Sequence, residues 1–548
     1  MKPFLFTFLI MSFLLVLSCS SDSNMEPESD NPIQGDDGNN DENPVDELSL
    51  PEVRTLNIDE LNIAFAVFKG ELVSNGDTPV TEIGFVIGTT GNPTLESYFS
   101  RYVIQDGPSS EFTSFGTDIP ASTDFFLRAY AINGDGVGYG NDVSFRTLDE
   151  IVFEGDVLLD TQDRVQEFGD MGITTILGGL TVTGSVNDLS PLLGLEYVSS
   201  HLDILFTTEL RNLEGLNNLG RGPNAADKRF RIVGNTGLES LQGLNGLRLI
   251  GGSLIIDNND LLTDLRGLEN LEFIESTNIT GVLNISNCEN ITSLSGLENL
   301  KSINGVLNLV VNPLLSDISA LSDSAINAQT VRIEQCHALV DLDGLQGVTA
   351  SEEIYIQVNN SLNTLNGLGN LVDANIIVIG FNDLLVNLSA LNNVSNLEQL
   401  NISGNASLSD LKGLDSLVFA SIVSISENPI LTSFVGLDNL GEVNQLLILR
   451  NDALPNFVGL ESLELISDDF NGQSLLIVTS NPGLTSLNGL ENLSSLDSDL
   501  TITNNTILSD FCSLGGLFDN GGPGGEIVIQ DNQVNPTPTA ISNGNCSE

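Results

Sequence analysis

Basic residues are scarce in this chain: 18 Lys and Arg stand against 74 Asp and Glu, for a net charge of −56. No Lys/Arg cluster is present to neutralise phosphates, which argues against nucleic acid as a partner. The same lack removes attraction to an anionic membrane surface. An acidic surface instead favours solubility, cations and basic partners. Tryptophan is absent, and His201 and His337 are the only histidines. The five cysteines, Cys19, Cys288, Cys336, Cys512 and Cys546, form no CxxC pair, so zinc and iron–sulfur sites are not expected, nor is any cofactor. Beyond residue 17 no stretch is long and apolar enough to span a membrane. At 548 residues the chain is too long for one compact core and calls for several units or one elongated array.

What is present begins with MKPFLFTFLIMSFLLVLSC, in which Lys2 precedes an apolar run from Pro3 to Leu17. That length suits a signal-peptide core and is short for a committed span. The closing VLSC, Val16 to Cys19, resembles a bacterial lipobox. The resemblance implies a signal peptide over residues 1–18 and lipidation of Cys19, the new N-terminus. Acyl chains contribute about 0.8 kcal/mol per buried CH₂, so several of them hold a protein on a bilayer. Residues 19–49 are acidic, rich in Asn, Pro and Gly, and nearly free of apolar side chains as far as Leu48. Such a segment buries too little surface to offset chain entropy and reads as a disordered tether. GDDGNNDEN within it lacks the Gly and closing Glu of a calcium loop. Acidic residues just behind the lipobox resemble the surface-export signal of Bacteroidota lipoproteins. That implies a lipid-anchored protein of the outer membrane, facing the exterior.

Residues 50–148 alternate apolar and polar positions between Gly/Asn turns, as in NIAFAVFKGEL (62–72) and VTEIGFVIGTT (80–90). Short strands at this spacing predict a β-sandwich. FFLRAYAINGDGVGYG resembles the penultimate strand and turn of fibronectin type III-like modules, which implies a spacing or adhesive role. GDGVGYG lacks the Lys-Ser/Thr of a phosphate loop.

From about residue 175 one template recurs: h-x-h-x-x-N-x-x-L-x-x-L-x-G-L-x-x-L-x-x-I, where h is apolar. The Asn falls at Asn235, Asn259, Asn312, Asn359, Asn382, Asn405, Asn428, Asn451, Asn481, Asn505 and Asn532. Cys288 and Cys336 take the same slot in their own repeats, and Ser185 and Thr207 take it in two degenerate ones. A fixed period of about two dozen residues means a solenoid, here over residues 151–548. The h-x-h pair, such as Leu254/Ile256, is a short strand with two inward residues, stacked in parallel on the next coil about 4.8 Å away. The Asn turns the corner, where its amide satisfies backbone groups that lack ladder partners. Gly267, Gly296, Gly344 and Gly489 of L-x-G-L bend the returning side. Cys288 and Cys336 lie two coils apart, near 10 Å, too far for a disulfide. Cys512 and Cys546 flank the end of the array, where a bond between them closes the last hydrophobic face.

LTSLNGLENLSSLDSDLTITNN and ITSLSGLENLKSINGVLNLVVN resemble the receptor L-domain, the leucine-rich-repeat-like right-handed β-helix of growth-factor and insulin receptor ectodomains. The resemblance implies a mainly β solenoid whose surface binds ligands. It rests on core and corner positions, so it carries no binding residue over. The Cys-rich modules, membrane helix and kinase of those receptors are missing, and receptor signalling is not implied.

Residues four and two before the Asn slot should point outward. They give a candidate face of Arg332, Glu334, Tyr355 and Gln357, and farther on Leu447, Leu449 and Ile477, with Val378 and Val528 beyond. Two longer excursions, NLGRGPNAADKRF (218–230) and LELISDDFNGQS (463–474), are candidate recognition loops. Right-handed β-helices also host polysaccharide lyases and hydrolases, which is the alternative reading. That chemistry needs a base or paired carboxylates at a cleft. No outward Asp pair repeats on neighbouring coils, His201 has no evident partner, and His337 follows Cys336 at a corner. The sequence therefore reads as a non-enzymatic surface protein that recognises a protein or a glycan.

Overall fold

The computed structural model describes residues 49–547 apart from 60, 62–65, 105–108, 117–118, 221–225, 275–280 and 468–473. The signal segment, Cys19 and the tether up to Leu48 lie outside the described residues, as do parts of both excursions.

Residues from Glu52 to Arg146 form two small antiparallel sheets. One joins Glu52–Thr55, Ala66–Ser74 and Glu111–Gly116; the other is built around Glu82–Gly88 and Asp124–Asn133. Their inner faces share an aromatic core in which the Phe68 and Phe85 ring centroids lie 5.8 Å apart. This is a small β-sandwich, as the alternation predicted. GDGVGYG is its hairpin: the Asn133 side chain accepts hydrogen bonds from the N–H groups of Asp135 and Gly136 at the turn.

The rest is a β-solenoid. Among the described residues nineteen strands stack in one sheet running from Val157–Leu159 to Ile527–Gln530, each pairing in parallel with its neighbours. Burial alternates along most of these strands, so Leu307 and Leu309 face inward while Asn308 faces out. Inward Leu and Ile from every coil join one continuous core. Fully burying such a side chain is worth about 1.5–3 kcal/mol. The stack begins one coil earlier than the template. In that coil the helix Gln162–Asp170 replaces the leucine run, capped by Thr161 and burying Val165 and Phe168.

The asparagine slot is buried as expected, with Asn235, Asn259, Asn382, Asn405 and Asn428 all fully enclosed. Wherever asparagine follows asparagine in the ladder, the bonding is the same. Asn382 Nδ2 donates to Ile356 O of the previous coil at 2.8 Å. Its backbone N–H donates to Asn405 Oδ1 of the next coil at 3.2 Å. Thr207 joins the ladder through Asn235 Oδ1, but Ser185 is exposed and does not. Its coil is the second of the stack, and no such rung is in place there.

Two features of the corner were not read from the sequence. The residue before the slot takes a left-handed conformation in coil after coil, for example Val311 (φ 57°), Phe381 (φ 56°) and Glu427 (φ 58°). That conformation costs a non-glycine residue about 1–2 kcal/mol. It aims the next side chain, the Asn, into the core, and the amide bonds offset the strain. The second is the bonding around the glycine that, as expected, bends the returning side. Gly267 has φ 116°, and a Cβ there would sit 2.2 Å from Leu241 O of the previous coil. Only glycine fits. In the surrounding G-L-E-N, Glu269 accepts from Gly267 N–H at 2.9 Å, and Asn270 donates to Asn245 O at 2.8 Å. Glu298/Asn299 and Glu491/Asn492 repeat this arrangement. Conserving geometry from coil to coil therefore consumes much of the chain's amide and carboxylate chemistry.

At the end of the array Cys512 and Cys546 are bonded, with Cα atoms 5.0 Å apart. Cys288 and Cys336 are free and buried in their slots.

Candidate recognition surface

Because side chains alternate along a strand, every coil presents outward positions that serve no core. Registered pairing turns these positions into rows across the sheet. Arg332 lies beside Tyr355, and Tyr355 beside Val378. The Arg332 guanidinium sits 4.4 Å from the Tyr355 ring centroid and 3.2 Å from Glu334. Burial, followed by the nearby Glu353 carboxylate, pushes the Tyr355 hydroxyl above its ordinary pKa. Gln357 lies beside Glu334 in the next row. The first four candidate residues are thus brought together.

Leu447 pairs in register with Ile477, and Leu449 with Thr479. Tyr355 and Leu447 are four coils apart, about 19 Å at the spacing of stacked strands. The candidate face is therefore two separate spots. Val378 is buried, and Val528 stands in the last strand.

Extending the alternation two residues upstream adds side chains that the sequence reading missed. Ile422 and Leu475 flank Gln445 on the adjoining row and are partly exposed. Ile422, Leu447, Leu449, Leu475 and Ile477 form one aliphatic patch. Polar strands bound it: Gln399, Asn401 and Ser403 on one side, Asp499, Thr501 and Thr503 on the other.

The degenerate coils hold a charged cluster instead. Asp203, an outward residue, is almost fully buried beneath Arg229 and Arg231. Arg231 holds both its oxygens, at 2.9 and 2.5 Å. Burial alone raises the Asp203 carboxyl, but the bonds from Arg231 and Arg229 outweigh it and hold the group below its ordinary value. His201 does have neighbours: its Nε2 is 4.0 Å from Asp203 and its Nδ1 3.3 Å from Ser200 Oγ. The three residue types are those of a hydrolase triad. The carboxylate, however, is committed to two guanidinium groups, and Asp203 and Ser200 flank His201 in one strand region with no histidine–carboxylate hydrogen bond. Nothing there activates a nucleophile. His337 Nδ1 is buried without a hydrogen-bond partner among the described residues, so no orienting group serves it either. No cluster of three or more metal-ligating side chains is present among the described residues.

Burial pushes the Cys288 and Cys336 thiols up to about 12. Thiols held protonated at neutral pH are not nucleophiles.

No protein-family model matches this chain, and no curated protein matches it. Among the described residues no helix is long and apolar enough to cross a membrane.

Proposed function

We propose that this chain is a lipid-anchored surface protein of the receptor L-domain type that recognises a macromolecule through the outer sheet face of its solenoid. The observation that carries this reading is the aliphatic patch of Ile422, Leu447, Leu449, Leu475 and Ile477, bounded by polar strands. A solvated sheet face gains nothing from a confined apolar cluster, whereas a contact site does. The scaffold supports the reading in a second way. Its leucines, corner asparagines and G-L-E-N groups are all engaged between coils, so recognition falls to the outward rows. The arrangement favours binding over catalysis, because Asp203 is held by two guanidinium groups and neither His201 nor His337 has a hydrogen bond to a carboxylate among the described residues.

The experiment is capture of surface proteins from neighbouring or host cells by the full chain and by a Leu447→Ser/Ile477→Ser variant. Both positions face outward, so the variant keeps its fold, and capture should drop. Unchanged capture rules out this face. The anchor is tested separately: incorporation of a labelled fatty acid should be abolished by Cys19→Ala, and protease shaving of intact cells should release the solenoid.

A further inference from the structure

Many polar side chains of the solenoid bond between coils. Four outward ones that stand together on the sheet do not, among the described residues. On three successive strands, Ala325–Glu334, Ala350–Gln357 and Asp373–Gly380, two outward rows run side by side near the strand starts. In one row Ala350 stands level with Asp373, next to Asn327. In the other stand Gln329, Glu352 and Asn375, each an outward residue that the ladder pairing skips. All six are exposed. The side chains of Gln329, Glu352, Asp373 and Asn375 make no hydrogen bond among the described residues, while Asn327 Nδ2 donates to Asn304 Oδ1 at 3.2 Å.

These residues line a groove of about 360 Å³. That lies at the low end of the roughly 300–1,000 Å³ range of small-molecule sites. Its cause is Ala350. With only a methyl group between longer neighbours, the row has a gap two coil spacings wide, about 10 Å. The gap is floored by the exposed Ala350 and walled by three amides and two carboxylates, while Ala328 between Asn327 and Gln329 turns its methyl into the core.

We infer that this groove binds a short saccharide that is neutral or carries an amine. Amides offer donors and acceptors together, and carboxylates accept from two adjacent hydroxyls, which matches the alternating hydroxyl pattern of a sugar edge. The Ala350 methyl meets the C–H face of the ring. Glu352 and Asp373 line the groove and make no ion pair among the described residues, so uronates, sialylated and phosphorylated glycans are repelled. The inference rests on the reading of the solenoid skin as a recognition surface, and it names a ligand class for a spot distinct from the aliphatic patch.

The test is titration of the full chain with neutral, amine-bearing and uronate-containing di- to tetrasaccharides at millimolar concentration, including cellobiose, diacetylchitobiose and digalacturonate. Saturable binding is expected for one or more neutral or amine-bearing probes and not for digalacturonate. Ala350→Tyr fills the gap at an exposed position and should weaken binding roughly tenfold or more with unchanged thermal stability. Glu352→Gln/Asp373→Asn should relax the exclusion of digalacturonate. Leu447→Ser/Ile477→Ser should bind the saccharide as the parent does. Absence of saturable binding, equal binding of digalacturonate by the parent, or undiminished binding by Ala350→Tyr overturns the inference. If protein capture still depends on Leu447 and Ile477 in that event, the wider recognition reading stands without the groove.

Discussion

Asn535 Oδ1 accepts two hydrogen bonds from Asn532, one from its backbone N–H at 3.0 Å and one from its Nδ2 at 3.1 Å. These are the same two bonds that Asn505 makes to Asn532 and Asn481 to Asn505. A residue three positions along thus takes the acceptor place that the next coil's asparagine holds elsewhere, and the donors of Asn532 are satisfied.

The ladder sets a graded expectation. Asn405→Ala removes the acceptor of Asn382 and the donor to Ile379 O, leaving several buried groups unpaired. The cost should be about 3 kcal/mol or more, since each unpaired buried group costs roughly 1–3 kcal/mol. Asn401→Ala, on an outward position of the same coil, should be nearly neutral. Asn535→Ala should fall between them and loosen the last coil first. Denaturant melts and hydrogen exchange of the C-terminal region check the order.

Cysteine in the slot donates to a carbonyl, Cys336 Sγ to Leu309 O at 3.5 Å, but supplies no amide oxygen to the coil before it. Cys336→Asn should therefore add a rung and raise stability by about 1 kcal/mol, the net worth of a typical hydrogen bond. In the native protein neither Cys288 nor Cys336 should react with a thiol reagent at pH 8. Rapid labelling of either without denaturant contradicts the burial described above.

Reduction of Cys512–Cys546, 34 residues apart, should lower stability by about 3–4 kcal/mol on a loop-entropy estimate. The effect should concentrate at the last coil. There Phe511 N–H donates to Cys546 O, so the terminal segment pairs back onto the array. A melt with and without reductant measures it.

Asp203 sets an acid limit. Its folded pKa lies below the ordinary 3.8, so the stability it contributes is present above that value. It is lost as pH falls through the folded pKa. Asp203→Asn should cost about 1–3 kcal/mol at neutral pH. The variant should also show a weaker decline in stability between pH 4 and the acid limit, roughly the window of the shift. Equal acid sensitivity in parent and variant contradicts the role assigned to Arg229 and Arg231.

Much of the scaffold was legible because it is periodic. Asn235 to Asn532 recur at the coil length, and so do the inward pairs such as Leu254/Ile256; a repeated residue at a repeated spacing marks a repeated environment. The left-handed residue before each Asn was not legible, because Val311, Phe381 and Glu427 share no chemistry; geometry, not side chain, unites them. The G-L-E-N bonds were open to reading, since Glu269, Glu298 and Glu491 share one spacing from glycine. Their partners are the glycine's own N–H and the preceding coil, and only the folded backbone shows that.

For the surface, alternation in the sequence determined which way Arg332, Tyr355, Leu447 and Ile477 point, because a strand has a period of two. It could not say which of them meet. Register and coil spacing decided that Arg332 joins Tyr355, that Leu447 joins Ile477 in a patch with Ile422, and that the two spots stand four coils apart. The gap in the row of Ala350 is of the same kind: the residue is visible in the sequence, but a hole exists only where neighbouring coils raise longer side chains on both sides of it.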